Sequence, residues 1–405
     1  MKIGIIVDNE LNSDIRVLRE IGILKDQEFE IFVLCFGFFK TYKDPVNQIQ
    51  ITRINIPKKL KDIIFFLLNS IPVYEWLWAS WIKKLIIHNQ LEILHVHDLY
   101  MARAAYKGIK KTKLKIPMIL DLHENYPFTI TTYNWTKGFF RRLISSPDEW
   151  KKKEREYLGY SDCIIVLSNN FRDELLKQYP ELEKETFIVL PNVPDLSKPE
   201  YYTKSVMSNP FRQGFPIIFY YGVIAERRGI FDALGVFTNL VKEGYPVNFL
   251  LIGPVDKKDH PLFTRFIGSN LIAGRIHYIP WIDAKEFPDY LRICDICLAP
   301  FHKNPQHESG VANKIYDYML GGKPIIASDC KPQQNLIEKN NCGLIFHNIP
   351  EFHDAIIKLL KDKSLREEMG ENGKNAILRE YNTEIIKENL ILLYNKLSLD
   401  HNERL

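Results

Sequence analysis

A chain of 405 residues exceeds what one hydrophobic core accommodates and fits two domains of ordinary size. Hydrophobic residues at 46% and charged residues at 26% are globular proportions, and a net charge of +4 is too small to imply nucleic-acid binding. Six cysteines without framework spacing read as buried thiols of a reducing compartment; the C-x-x-C of Cys294 and Cys297 lies inside the apolar run LRICDICLAPF, not in a zinc or redox setting.

In chain order, the N-terminus enters a strand at once, Lys2–Val7, without the layout of a signal peptide, and no apolar stretch reaches membrane-spanning length. The expectation is a cytoplasmic chain whose membrane contact is peripheral. Further strands are expected at Phe29–Cys35, Ile51–Asn55, Ile93–His97, Met118–Leu122, Cys163–Leu167 and Phe187–Leu190. Helical patterns lie between them, such as Asp14–Lys25, Met101–Lys107 and Asn169–Gln178. The stretch from Pro191 to Pro216 holds five prolines and almost no periodicity, which makes it a linker. The pattern then restarts: strand Ile217–Gly222, helix Ile230–Glu243, strands Val247–Ile252 and Ile276–Ile279, helix Ala284–Ile293, and strand Ile296–Pro300. Helix Val311–Leu320, strand Ile325–Ala327 and further helices to the end complete it. Strands alternating with helical crossovers specify an α/β class with parallel sheets. The boundaries follow: an N-terminal Rossmann-like domain over 1–195, and the linker with a second such domain over 196–383. A last helix, about 384–405, is expected to pack back on the first domain.

Open α/β sheets bind ligands outside the carboxyl ends of their strands. A dinucleotide oxidoreductase would need G-x-G-x-x-G after a first strand, but Val7 leads into DNELNSD and Tyr221 into GVIAERRG; a P-loop is absent as well. The most informative segment is HESGVANKIYDYMLGGKPIIASD, from His307 to Asp329. Gly321 and Gly322 end a helix whose start lies near Val311–Asn313. Its first N–H groups, with the helix dipole, offer an anion site. Lys314 adds a cation there, and Asp317, about one turn along, can accept hydrogen bonds from two vicinal hydroxyls. Diphosphate and ribose fit that pair of features; a capped helix carrying a surface acid is the plainer alternative.

This segment resembles the signature of family 4 (group 1) glycosyltransferases, retaining enzymes of the GT-B fold. The subgroup pattern PNK-x-x-EYM-x-x-G-x-PVI is similar to ANKIYDYMLGGKPII. In that family two glutamates eight residues apart hold the donor sugar and the ribose. Here Asp317 takes the second place, Ser309 stands eight residues before it, and Glu308 is the neighbouring candidate for the sugar. DNELNSDIRVLRE follows a D-x-R-V-x-R-E variant through Asp14 and Arg16; HVHDLYMA and DLHENYP resemble the family's H-x-H-D and D-x-H-E-x-Y-P strand ends. IVLPNVPD matches the end of the first domain, and ICDICLAPF matches A-D-I-x-L-x-P-S. YYGVIAERRGIFDAL is similar to G-R-L-x-x-x-K-G, with Gly222 as the glycine, Arg228 at the lysine and Val223 where the family has arginine. Agreement in order along nearly the whole chain implies two Rossmann-like domains facing across a cleft.

The resemblance implies a sugar moved from a nucleotide diphosphate sugar to a saccharide or lipid-linked saccharide, with retention, in bacterial surface polysaccharide synthesis. The departing diphosphate needs fixed positive charge, which Arg228, Lys314 and the N–H groups around Ser309, Gly310, Val311, Ala312 and Asn313 would supply. No D-x-D pair occurs, so neither metal nor cofactor is expected. His123 corresponds to the family histidine beside the donor sugar, and no protein nucleophile is assigned. His97, Asp98 and Glu124, with Asp14 and Arg16, are the acceptor-side candidates. Two apolar and basic segments suit an anionic membrane surface: Lys58–Lys84 with Trp76, Trp78 and Trp81, and a second with Phe139, Phe140, Arg141, Arg142 and Lys151–Lys153. A sugar-nucleotide epimerase, or a catalytically weakened partner of a glycosylation complex, are the competing readings, the latter suggested by Val223 and Ser309.

Overall fold

The computed structural model describes residues 1–27, 29–38, 49–66, 72–130, 147–197 and 208–402. It divides into two units, Met1–Pro191 with Ile386–Leu405, and Asn192–Ile385.

The first unit is built on a parallel sheet of β1 (Lys2–Ile6), β2 (Glu30–Gly37), β3 (Gln50–Asn55), β4 (Ile93–His97), β5 (Met118–Asp121), β6 (Cys163–Val166) and β7 (Phe187–Val189). Their spatial order is β3-β2-β1-β4-β5-β6-β7. Ile3 pairs with Ile31 of β2 on one side and Ile93 of β4 on the other, so the winding direction reverses at β1. The central strands are rich in Ile, Leu and Val and almost wholly buried, as parallel strands covered on both faces are, with His95 and His97 the polar exceptions on β4. The helix Ile15–Lys25 starts where Asp14 accepts a hydrogen bond from the Val17 N–H at 3.1 Å, an N-cap that satisfies one free donor. The helix Val73–Asn89 buries Tyr74, Trp78, Ile82 and Leu85 at helical spacing. Trp78 belongs to the core with Trp150 and Tyr157, which corrects its assignment to a membrane-facing surface. The expected helix Met101–Lys107 is instead a 3-10 turn Leu99–Met101 that continues into Ala102–Lys110. The last helix, Thr383–Asn402, buries Ile386, Leu390, Leu393, Tyr394 and Leu397, and Tyr394 hydrogen-bonds His95 on β4.

The second unit holds β8 (Ile217–Tyr221), β9 (Asn248–Ile252), β10 (Ile276–Ile279), β11 (Ile296–Ala299), β12 (Ile325–Ser328) and β13 (Gly343–Phe346), ordered β10-β9-β8-β11-β12-β13. All pairings are parallel, and the switch point lies between β8 and β11. β13 corrects the expectation of helices alone after β12: four residues are too few to show a period, yet Gly343–Phe346 pairs with Ile325–Ser328 along its whole length. The helix expected over Ala284–Ile293 is a 3-10 turn Ala284–Glu286, closed by an Asp283–Glu286 capping box, followed by Phe287–Arg292 with a proline in its first turn. The core is Phe237, Phe249, Leu251, Leu298 and Ile326 between sheet and helices. All six cysteines are buried free thiols. Of the linker, residues 198–207 lie outside the described residues.

Candidate functional sites at the strand ends

In the second unit, three local features converge at the switch point. β8 ends in Gly222, whose φ of +130° is open to glycine; a Cβ there would lie 2.9 Å from Nζ of Lys314. The loop after it turns back at Gly229, φ +66°, where a Cβ would sit 1.6 Å from the carbonyl oxygen of Pro300. That close approach brings Arg228 over the Phe301 ring, 5.3 Å from its centroid. The helix Asn313–Leu320 starts two residues later than the earliest expected position, and no side chain caps it. Its Lys314 ammonium lies 3.8 Å from the centroid of Tyr220 and 5.2 Å from that of Phe301.

Two cations thus share aromatic surfaces, and among the described residues no carboxylate pairs with either. Burial, reinforced by Arg228, holds the Lys314 ammonium well below its ordinary pKa. Burial also lowers Arg228, with Arg227 adding to it against the opposing pull of Tyr220, and the Arg228 Nε is buried without a hydrogen-bond partner. Desolvated like charges side by side are costly until an anion arrives. Val223, in the place of an expected arginine, uses its carbonyl to accept the Tyr220 hydroxyl at 2.8 Å, and the charge at Gly222 comes from Lys314 instead.

Asp317 lies one turn into the same helix, partly exposed, and acts electrostatically on Tyr221. Glu308 is on the short helix Pro305–Ser309, where its carboxylate accepts the Lys331 N–H at 3.2 and 3.4 Å. Ser309 is buried, and its hydroxyl donates to the Gln306 carbonyl at 2.8 Å. Gly310, Val311 and Ala312 run partly exposed into the helix, and Asn313 is exposed. Three residues were not anticipated: Tyr220 and Phe301, through their rings, and His307, which lies 4.7 Å from Phe301 and whose pKa is pushed down to about 4 by burial, with Arg228, Arg227 and Lys314 adding to it against the His302 carbonyl. A lysine near a helix start is visible in sequence; the rings come from distant strand ends.

In the first unit the carboxyl ends of β1, β4 and β5 collect buried charge. Arg16 grips Asp121 through two nitrogens at 2.9 and 3.0 Å, reaches Glu20 at 3.2 Å, and donates to the Leu190 carbonyl at 3.1 Å. Arg16, Glu20, Asp121 and His97 are all buried. Arg16 is therefore a buried internal clamp, and Asp14, partly exposed, caps its helix through one carboxylate oxygen. Glu20, His95, His97 and Asp121 are close enough to suggest a cation site, but the Arg16 guanidinium already occupies the place of a cation between the two carboxyl groups.

His123 sits at the edge of this cluster, partly exposed, with Nε2 3.0 Å from Nδ1 of His97 and 3.5 Å from Asp121, and Nδ1 3.8 Å from Asp98. Burial alone would lower its pKa, but the Asp98 and Asp121 carboxylates outweigh that and raise it to about 9. At neutral pH it is an imidazolium, a hydrogen-bond donor rather than a base. Asp98 carries a φ of +72°, uncommon for a residue with a side chain, and its carboxylate accepts from Tyr100. Glu124, next to His123, is partly exposed.

Sequence comparison matches both halves of the chain. Residues 17–198 match the family model described as Glycosyltransferase Family 4, and residues 201–376 match that described as Glycosyl transferases group 1. The alpha-D-kanosaminyltransferase of Streptomyces kanamyceticus is 22% identical over 80% of this chain and 83% of its own length. The capsular polysaccharide biosynthesis glycosyltransferase CapM of Staphylococcus aureus is 25% identical over 44% of this chain and 46% of its own. Among solved structures, Anabaena Alr3699/HepE in complex with UDP superposes with a TM-score of 0.72 at 13% identity, covering 98% of this chain and 100% of that one.

Proposed function

Because the chain belongs to the family 4, group 1 glycosyltransferases and carries their GT-B fold, we propose that it moves a hexose, with retention, from a nucleoside diphosphate sugar to a saccharide or lipid-linked saccharide. The observation that carries the donor site is the unneutralised pair Lys314 and Arg228 beside an uncapped helix N-terminus and a glycine-only turn. A diphosphate placed there meets two cations and helix N–H groups, and negative charge growing on the leaving group is stabilised without reorganisation. We assign Asp317 to the ribose hydroxyls and the charged His123 to the transferred sugar. Glu308 serves as a further sugar contact only by sharing the Lys331 N–H it now holds. The leaving phosphate itself takes the acceptor proton. The two fixed cations make the reaction metal-independent in this reading, and a surface polysaccharide is the acceptor class that the likeness to the capsular enzyme supports.

Asp317→Asn tests the donor assignment. It keeps the shape and removes charge-assisted bonds worth about 1.5–3 kcal/mol each, so the affinity for a nucleoside diphosphate is expected to fall about tenfold or more while the melting temperature stays put. Unchanged affinity in calorimetry refutes the ribose assignment.

Peripheral membrane docking is the second part of the proposal, on a smaller face than the sequence indicates. Among the described residues no helix is long and apolar enough to cross a membrane. Lys58 and Lys59 are exposed, with Ile63 58% and Trp76 54% accessible, on the helices Lys58–Phe66 and Val73–Asn89. Lys61 instead turns inward to the buried Asp8 at 3.4 Å, and Lys84 covers Trp81. Lys151 and Lys152 are exposed, whereas Phe139, Phe140, Arg141 and Arg142 lie outside the described residues. With about 1 kcal/mol per basic group near an anionic bilayer, binding to phosphatidylglycerol vesicles is expected to be reversible and salt-sensitive. Reversing Lys58 and Lys59 to Glu should abolish it; equal binding to neutral vesicles removes the docking face.

A further inference from the structure

The first-unit cluster contains more than a buried ion pair, because its hydrogen-bond geometry fixes where protons sit. Nδ1 of His97 and Nε2 of His123 are 3.0 Å apart. Two N–H groups cannot point at each other over that distance, and two lone pairs would repel, so one nitrogen carries the hydrogen and the other accepts it. The surroundings decide which. His123 lies between the carboxylates of Asp98 and Asp121, which favour protons on both of its nitrogens. On the far side of His97, Nε2 is buried and lies 4.0 Å from the Glu20 carboxyl, beyond hydrogen-bond reach. Nδ1 of His97 also lies 3.4 Å from the Asp121 carboxylate, but with both nitrogens of His123 protonated only a bare Nδ1 on His97 avoids two N–H groups facing each other at 3.0 Å.

The ring itself is clamped. His95 stacks on His97 at 4.4 Å between centroids and 27° between planes, and His95 is in turn held by the Tyr394 hydroxyl at 2.7 Å from its Nδ1. Tyr394 belongs to the last helix and is buried, so a residue from the end of the chain fixes a stack beginning on β4. Arg16, bound to Asp121 and Glu20 together, keeps both carboxylates in place against this stack.

We propose that His97 is a positioning residue: in its Nε2–H tautomer it accepts the Nε2–H of His123 and leaves Nδ1–H as the one His123 proton directed at substrate. The proposal rests on the assignment of His123 to the transferred sugar. It gives Tyr394 a function, the orientation of the stack. Such secondary hydrogen bonds set which nitrogen of a histidine is available for chemistry. No bond is made or broken in this arrangement; the imidazolium donates a hydrogen bond and keeps its proton.

The test is nitrogen-15 NMR of the full chain labelled at histidine, at neutral pH and without substrate. The expected spectrum has His97 protonated at Nε2 and bare at Nδ1, with His123 protonated at both nitrogens. A His97 protonated at Nδ1 overturns the proposal. Two variants add a functional readout. His97→Asn places a carbonyl oxygen near the Nδ1 position and keeps an acceptor, whereas His97→Phe keeps a ring and removes it. The Phe variant is expected to lose about tenfold or more in kcat with donor KM little changed, and the Asn variant to recover most of that loss. Equal losses in the two variants, with the His123 resonances unmoved in both, reduce His97 to packing and overturn the proposal. Because the tautomer is read without donor or acceptor, failure of the glycosyl-transfer reading is a separate outcome.

Discussion

Arg228→Ala is expected to lower turnover by a few hundredfold, with a smaller effect on folding. The guanidinium stands over Phe301 with its Nε buried and unpartnered, so it contributes little to the empty protein and is available to a leaving diphosphate. Removing one preorganised donor from a developing anion costs about 3–4 kcal/mol of transition-state stabilisation, which is that factor in rate. Arg228→Lys should recover only part of it, because a lysine is a point charge without the planar fork that meets a phosphate through two bonds. Steady-state kinetics with a chelator present separate this from metal chemistry. A variant within threefold of wild type would place Arg228 outside the reaction.

The second large effect is on stability. Arg16→Met removes the partner of a fully buried carboxylate, leaving Asp121 and Glu20 uncompensated in the interior. Breaking a buried pair from one side costs about 3–5 kcal/mol, most of it the desolvation of the charge left behind. Burial alone would raise the Asp121 carboxyl, and it is Arg16 first and then His123 that hold it well below the usual range. Without Arg16 that balance reverses, and Asp121 takes up a proton or the unit opens. Urea unfolding is the measurement. Arg16→Met combined with Asp121→Asn should recover part of the loss, because the orphaned charge goes with its partner. A single-variant loss below about 1 kcal/mol would mean that water already reaches the cluster.

Much of the architecture was legible because parallel strands buried on both faces are short apolar runs, such as Ile93–His97, and even the partly buried edge strand Ile276–Ile279 begins and ends at the expected residues. β13 was not legible: Gly343–Phe346 is a single four-residue run, and only its pairing with β12 marks it as a strand. Trp78 illustrates a different loss. Its spacing with Tyr74, Ile82 and Leu85 is that of a core face, but the lysines nearby and two other tryptophans made the whole segment read as surface. Arg16 and Glu20 are visibly a turn apart on one helix. What they surround, Asp121, lies 105 residues on, and a single sequence carries no sign of that contact. The donor-side cations were legible from a motif and a helix start. Their isolation from acids, and the aromatic rings under them, follow only from the meeting of β8, β11 and the helix Asn313–Leu320.

The most direct test of the donor site is a calorimetric titration of the intact chain with UDP, GDP and the matching monophosphates. The β-phosphate is the group that Lys314, Arg228 and the helix N-terminus are assigned to hold. At least one diphosphate should therefore bind about tenfold or more tightly than its monophosphate, the difference a single charge-assisted bond supplies. The advantage should disappear in the Lys314→Met, Arg228→Ala double variant. Equal affinity for di- and monophosphates, or an advantage that survives the double variant, would contradict the account.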